Sequence, residues 1–318
     1  MRVITINEKD AGQRLDKLLG KYFNLAGKGF IYKMMRKKNI TLNGRKCDGT
    51  ERLQAGDEVK LFLSDDTIEK FSCVSVQKVK KTRLNIVYED EHILLINKPS
   101  GMLSQKAKDG DESLVEYVTD YLLDTGALTE EDLRTFRPGI CNRLDRNTSG
   151  LVAAGKSLPG LQIMAELFRE RSLHKYYYCV VRGKLEGEQT IKGYLSKNER
   201  FNHVTIHDRQ VPESLKISTK YTPVSYRKGY TLVRVLLITG RSHQIRAHLA
   251  SIGYPLVGDK KYGDEQVNKE AEETFGIRHQ MLHSYLMEFP RLREPLAYLS
   301  GKNFTAPLPH EFTRIMNG

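Results

Sequence analysis

Three groups of residues in this chain are of types that can do chemistry. His243 and His248 lie five positions apart, with His283 further on. A helix that presents two histidines to one metal ion spaces them by four; a spacing of five turns the second through about 500° and off that face. No paired carboxylates accompany them, so polar or partner-facing histidines are the better reading and no metal is expected. Ser149, in Thr148-Ser149-Gly150, comes shortly after an Asp. The G-x-S-x-G turn that exposes a serine nucleophile is absent, and ordering a turn suits Ser149 better. The third group is Asp145, in Gly139-Ile140-Cys141-Asn142-Arg143-Leu144-Asp145-Arg146-Asn147-Thr148-Ser149-Gly150. An Asp among arginines, in a turn-rich loop before a strand, has the makings of a carboxylate nucleophile. A lone Asp is more often a cap or half of a surface ion pair, and spacing alone favours that plainer role.

Elements must hold these residues in place. Residues 84–88 and 92–97 read as strands, broken by the loop Lys98-Pro99-Ser100-Gly101. Helices are expected at 113–122 and 161–169, each with one apolar face, and short strands at 151–154 and 175–181. Residues 221–225 and 230–238 flank Arg227-Lys228-Gly229 as a hairpin. Ser242 is placed to cap a helix running to about Ile252. Strands outnumber helices and no βαβ alternation appears, which predicts an α+β domain around a mainly antiparallel sheet. On Lys175-Tyr176-Tyr177-Tyr178, alternation sends Tyr176 and Tyr178 to the face opposite Tyr177, where they are packing residues.

Before these elements the texture differs. Residues 13–22 carry Leu15, Leu18, Leu19 and Tyr22 at helical spacing, residues 30–38 read as a second short helix, and Asn43-Gly44 marks a hairpin turn. Residues 59–63 form a further strand. This stretch is also the most basic. The chain has 318 residues and a formal charge of +12. Residues 1–80 hold 17 basic and 10 acidic side chains, more than half of the excess. Between Asp16 and Asp48 nine basic residues occur and no acidic one, among them Lys33, Arg36, Lys37, Lys38 and Arg45. Such density attracts phosphates and makes affinity salt-dependent; the alternative is a solvated basic face. The length suits two domains. With 39% hydrophobic and 28% charged residues and a mean hydropathy of −0.49, the composition is that of a soluble folded protein. No apolar run approaches the roughly 18–20 residues of a membrane span. The charged first twenty residues leave no apolar core for a secretory signal. Cys47, Cys73, Cys141 and Cys179 are scattered, which fits a reducing cytoplasm better than zinc or disulfides.

Two resemblances organise these readings. Residues 12–63, with RLDKLL, MRKKNITLNG and AGDEV in that order, resemble the alpha-L RNA-binding module. Residues 83–312 resemble the large-subunit ribosomal RNA pseudouridine synthase family. Arg143 to Gly150 matches its R-L-D-x-x-T-S-G signature, Asn97-Lys98-Pro99-Ser100-Gly101 its N-K-P-x-G segment, and Lys175-Tyr176-Tyr177 its K-x-Y strand. Gly240-Arg241-Ser242-His243-Gln244-Ile245-Arg246-Ala247-His248-Leu249, followed by Gly253-Tyr254-Pro255-Leu256-Val257-Gly258-Asp259, is close to its third motif. The expected organisation is a module at 1–63, a linker at 64–82 and a catalytic domain at 83–318.

The resemblance implies an enzyme that isomerises uridine to pseudouridine in RNA, most simply large-subunit ribosomal RNA, with no cofactor and no metal. By position Asp145 is the nucleophile, Arg246 the cation that keeps it ionised, and Tyr177 the ring that packs on the target base and the candidate for taking its proton. Guanidinium stays charged and can bind a carboxylate bidentately, which lysine cannot. Arg143 is expected to contact RNA or help extrude the base, and Arg241 to contact RNA; Lys98 is expected to be structural. A uridine inside folded RNA must leave its stack, at a cost of about a few kcal/mol, and binding by the basic module, through Lys33, Arg36, Lys37, Lys38 and Arg45, can offset that. The partner is therefore structured RNA, with no membrane and a monomeric protein expected. Two departures from the family pattern, Asn142 where many members have His and Leu103-Ser104-Gln105 where some carry a histidine, bear on the RNA target and not on the reaction. A non-catalytic RNA-binding or ribosome-assembly factor, and a synthase acting on transfer RNA, are the alternatives.

Overall fold

The computed structural model describes every residue except Ser75, Lys81, Thr82 and Gly318. Ser75, Lys81 and Thr82 belong to the segment expected as a linker, and that reading at those three positions lies outside the described residues.

The amphipathic pattern at the N-terminus folds as a small unit of its own. It contains β1 (Arg2–Thr5), α1 (Leu15–Tyr22), α2 (Lys28–Arg36), β2 (Ile40–Leu42), β3 (Arg45–Lys46) and β4 (Glu58–Leu61). The strands pair antiparallel in the order β1-β4-β2-β3. Leu15, Leu18, Leu19 and Tyr22 of α1 are all buried, in one cluster with Ile31 and Met35 of α2. Asn43 and Gly44 both take positive φ, 50° and 73°, as the mirror-image hairpin turn requires. A further helix, α3 (Asp65–Phe71), is capped by Ser64, whose Oγ accepts a hydrogen bond from the Thr67 N–H. It buries Ile68 and stacks Phe71 near Phe30, ring centroids 4.3 Å apart. The N-terminal core thus runs on past residue 63, into the expected linker. Seven residues are too few to show a helical stripe above the noise of a polar segment.

The rest of the chain builds one large sheet. Its elements are β5 (Ile86–Glu89), β6 (Ile93–Lys98), α4 (Leu114–Asp124), β7 (Gly139–Ile140), β8 (Ser149–Gly155), α5 (Leu158–Glu170), β9 (His174–Arg182) and β10 (Gln189–Asn198). Then come β11 (His203–His207), β12 (Leu215–Arg227), β13 (Tyr230–Leu237), α6 (Gln244–Ser251), α7 (Glu265–Phe275), β14 (Leu282–Glu288), β15 (Asn303–Thr305) and α8 (His310–Asn317). The main path of the eleven-stranded sheet is β11-β10-β12-β13-β9-β14-β8-β6-β5, with β15 on β14 and β7 on β8. The α+β class stands, but the sheet is mixed. Every ladder is antiparallel except β8 with β14. The cause is insertion: β8 and β9 run in opposite directions, so a strand placed between them must be parallel to one.

Both faces of the sheet are covered. Leu94 and Ile96 of β6, with Val152 and Ala154 of β8, pack in a cluster with Leu114, Val118 and Leu122 of α4. The alternate residues Ile93, Leu95, Leu151 and Ala153 face Ile163, Met164 and Leu167 of α5. Burial on both faces explains the unbroken apolar run of β6. The N-terminal unit rests on this domain. Thr135 Oγ1 donates to Asp10 Oδ2 at 3.0 Å, Lys9 Nζ to the Ala127 carbonyl at 2.9 Å, and Arg134 Nη1 to Ser72 Oγ at 2.6 Å. The four cysteines are unpaired, and among the described residues no helix is long and apolar enough to cross a membrane.

One glycine sets the sheet centre. Gly150 has φ of +107°, and a Cβ there would lie 2.2 Å from the Ser284 carbonyl oxygen. Gly150→Ala should therefore cost more than about 2 kcal/mol, from backbone strain and the clash with β14 together. Urea unfolding of the variant against the wild type measures it.

Candidate active site

Asp145 sits in the loop between β7 and β8, and the loop after β6 clamps it. Lys98 ends β6 and is fully buried. Its ammonium donates to the carbonyls of Pro99, Met102 and Arg146 at 2.9, 2.9 and 3.0 Å. The Gly101 N–H also donates to the Arg146 carbonyl, Ser100 Oγ to the Asn147 carbonyl, and Ser104 Oγ to the Leu144 carbonyl. Residues 144, 146 and 147 are all pinned, and Asp145 between them is turned outward. Burial pulls the Lys98 ammonium down to about 8, and the nearby Asp145 charge opposes the fall. It remains mostly protonated at neutral pH, and its three N–H donors match three carbonyls.

Arg246 lies in the first turn of α6. Its Nη1 donates to Asp145 Oδ2 at 2.8 Å. Its Nε and Nη2 donate to the two oxygens of Asp259, both at 2.7 Å. Asp259 is wholly buried and also accepts the Lys261 and Tyr262 N–H groups. Burial works against the Arg246 charge, but the bonds to Asp259 and the charges of both carboxylates outweigh it and raise its pKa. Burial likewise opposes ionisation of Asp259, and the Arg246 fork with the two backbone donors overrides it, lowering the pKa. The second oxygen of Asp145, Oδ1, has no hydrogen-bond partner among the described residues.

The start of α6 departs from expectation. Ser242 does not cap it; the N-cap position is His243, with φ of +53° and no side-chain cap bond. The left-handed turn brings the imidazole into the site, where Nε2 lies 3.9 Å from Asp145 Oδ2 and Nδ1 2.9 Å from the Tyr262 hydroxyl. Burial keeps His243 below its ordinary range. Gln244 braces the same turn, accepting from Thr239 Oγ1 and the Arg241 N–H and donating to the Ser218 carbonyl and Thr219 Oγ1.

Tyr177 is on β9, between β13 and β14, and only 6% exposed. Burial pushes its hydroxyl up to about 12. Tyr178 instead meets Tyr285, and Arg234 lies over Tyr176, consistent with packing on the other face. Asp145, Tyr177, Arg246, Arg143 and Arg241 all line one cleft of about 1100 Å³. Nine basic residues line it and one carboxylate, Asp145. Arg143 is exposed and donates to Gln105 Oε1 at 3.3 Å. Lys33, Arg36, Lys37, Lys38 and Arg45 are outside the cleft, exposed on the N-terminal unit and unpaired with carboxylates among the described residues.

The other two groups hold no comparable site. Ser149 and His283 share a hydrogen bond of 2.8 Å, and His283 Nε2 lies 3.2 Å from the Ala306 carbonyl. Both residues are buried away from the cleft, and burial pushes the His283 imidazole down to about 4. His248 bonds to Thr219 Oγ1. Among the described residues no group of three or more His, Cys, Asp or Glu is arranged to hold a metal. Asn142, the departure from the family's His, bridges β8 by accepting from the Ala153 N–H and donating to the Leu151 carbonyl. Sequence reasoning missed Asp259 and Tyr262, and it placed His243 only as a polar or RNA-facing residue. The only signal for Asp259 was its place at the end of the long third motif.

Residues 92–251 match the family model described as RNA pseudouridylate synthase. The Vibrio cholerae protein named ribosomal large subunit pseudouridine synthase C is 30% identical over 299 residues, 91% of this chain and 89% of that one. The Escherichia coli protein of the same name is 30% identical over 91% of this chain and 88% of its own length, and the Pasteurella multocida one 31% over 99% and 93%. Among solved structures, human RNA pseudouridylate synthase domain containing 4 is similar with a TM-score of 0.57 at 20% identity, covering 73% of this chain and 92% of that one. Human RNA pseudouridylate synthase domain containing 1 gives 0.53 at 19%, over 76% and 98%. These two likenesses speak to the fold.

The buried ammonium gives a test by pH. With Lys98 at about 8 in the folded chain and 10.5 unfolded, the unfolded state binds more protons between those values. Stability should rise as pH increases through that window, by up to about 3 kcal/mol. Lys98→Met should lower stability at pH 7, since three carbonyls lose their donors, and should flatten the rise. Denaturant unfolding at pH 7, 8, 9 and 10 reads both.

Proposed function

The chain belongs to the RNA pseudouridylate synthase family, and from that premise we propose that it isomerises uridine in large-subunit ribosomal RNA with Asp145 as the nucleophile. As an RNA pseudouridine synthase it breaks a carbon–nitrogen glycosidic bond, turns the base and forms a carbon–carbon bond, with no net change of oxidation state. The ribosomal substrate is supported by the names of the relatives. The nucleophile is supported by one observation above the others: Asp145 has one oxygen held by Arg246 and the other open to a basic cleft.

The division of labour follows. Arg246 fixes the carboxylate through one hydrogen bond, while Asp259 fixes Arg246. Oδ1 is then aimed at whatever enters the cleft. Tyr177 presents an aromatic ring for the flipped uracil to pack on. At about 12 its hydroxyl rests as a phenol at neutral pH, so taking the carbon-5 proton requires that the phenol first give up its own. Arg143 and Arg241, exposed at the cleft, contact the RNA around the extruded nucleotide. Lys33, Arg36, Lys37, Lys38 and Arg45 hold structured RNA at a distance from the chemistry, as shape-directed recognition of folded RNA requires.

Wild-type protein should release tritium from ribosomal RNA labelled at carbon 5 of uridine. Asp145→Ala should abolish release while retaining RNA binding; an active Asp145→Ala enzyme would remove it as nucleophile. Tyr177→Phe should keep affinity and lose about 10²–10⁴-fold in rate, the range for a positioned acid or base.

The module is tested separately. Replacing Lys33, Arg36 and Lys37 by Ala should reduce the salt dependence of ribosomal RNA binding by about 2 in slope, at 0.7–0.9 per lost phosphate contact. Filter binding between roughly 50 and 300 mM KCl gives the slope; no change would leave the basic face merely solvated.

A further inference from the structure

Lys175 stands out among the charged residues of the cleft. It is only 7% exposed. Its ammonium makes no hydrogen bond and no ion pair among the described residues; it lies over the face of Phe168, 5.4 Å from the ring centroid. Buried ammonium groups elsewhere in the chain are matched, Lys98 by three carbonyls. A cation taken out of water without a partner is costly, and a ring face offsets only part of that cost. Lys175 nevertheless lines the cleft, where the sole carboxylate, Asp145, is engaged by Arg246.

The surroundings make the mismatch worse in the free protein. Arg171, whose left-handed backbone (φ 61°) ends α5, also lines the cleft and adds a second positive charge beside Lys175. Burial first, and then Arg171, lowers the Lys175 pKa. Gly240 leaves the ammonium uncovered: a Cβ there would lie 3.6 Å from Nζ. Lys175 and Tyr177 are two apart on β9 and share a face. Two residues of strand span about 6.4–6.8 Å, the scale of the step from a nucleobase to its backbone phosphate.

We propose that Lys175, with Arg171 beside it, forms a subsite for a backbone phosphodiester of the RNA, adjoining the nucleotide whose base packs on Tyr177. The inference rests on the reading of this cleft as the uridine site. The phosphate supplies the counter-charge that the protein omits. The unpaired ammonium thus couples seating of the backbone to presentation of the base.

The test compares Lys175→Met and Lys175→Arg with the wild type, on protein-free large-subunit ribosomal RNA. Methionine has similar length and suits Phe168, so without RNA the Met variant should unfold at the same temperature as wild type or higher, because an unmatched charge is gone. With RNA it should bind at least about 10-fold more weakly, raise KM more than it lowers kcat in tritium release, and lose about 0.7 in salt slope, one phosphate contact. Lys175→Arg should restore most of the affinity. Phosphate-ethylation interference should show a site beside the modified uridine with wild type that disappears with Lys175→Met. A Met variant with wild-type KM and salt slope, or with an unchanged interference pattern, overturns the proposal. So does a Met variant of lower thermal stability whose binding loss the Arg variant fails to rescue, since that is a packing role. Failure of the uridine reading looks different: wild type would release no tritium, while the binding and interference comparisons would still report on the phosphate.

Discussion

A single guanidinium holds the site together. Arg246 spans two carboxylates, gripping buried Asp259 with two bonds and Asp145 with one. The asymmetry matters. The bidentate side is rigid, dry and completed by two backbone N–H groups; the single bond leaves Asp145 anchored but with an oxygen to spare. Asp259 could not be buried with its charge unless the arginine were there, and the arginine could not be buried without it. Local features that look unrelated serve this triplet. Gly258, with φ of +77° and room for no Cβ against the His279 carbonyl, turns the chain into Asp259. Gln244 and the left-handed His243 set the first turn of α6 from which Arg246 projects.

The opposite side of the cleft relies on a different device. Asp145 itself makes few bonds, while its neighbours are tied down by main-chain and hydroxyl contacts from the loop after β6. A reacting group can then be rigid without being neutralised. Lys98 is the centre of that clamp, and its charge is absorbed by carbonyls and kept out of the cleft. The contrast with Lys175 is instructive: two buried lysines, one with every donor used and one with none.

Much of this was legible in the sequence, and unevenly so. The amphipathic stripe of α1, the Asn43-Gly44 turn and the alternation along β9 are periodic signals, and each folded as its pattern required. The site was legible only through the motifs. Spacing alone favoured a structural role for Asp145, and no local pattern shows that its carboxylate meets Arg246 from 101 residues away. Asp259 was invisible as a function, since its job is to be buried against a residue 13 positions earlier. The parallel pairing of β8 with β14 was equally hidden: strand direction depends on where the chain returns, and the residues of β14 carry no record of that. Ser242 was a reasonable cap by type, but the turn there is shaped by what His243 and Gln244 must touch.

The position of β14 has a consequence for when this protein can come into being. It is one of the last strands to be synthesised and one of the innermost in the sheet, seated between β8 and β9 with Ser284 registered against both Gly150 and Tyr177. Until it arrives, the strand that begins just after Asp145 and the strand that bears Tyr177 have no common neighbour. A chain still emerging from the ribosome can build its N-terminal unit early, from contacts close in sequence, while the sheet waits for a closure of high contact order. The basic N-terminal unit is therefore ready before the cleft exists, and the cleft is completed in one late step.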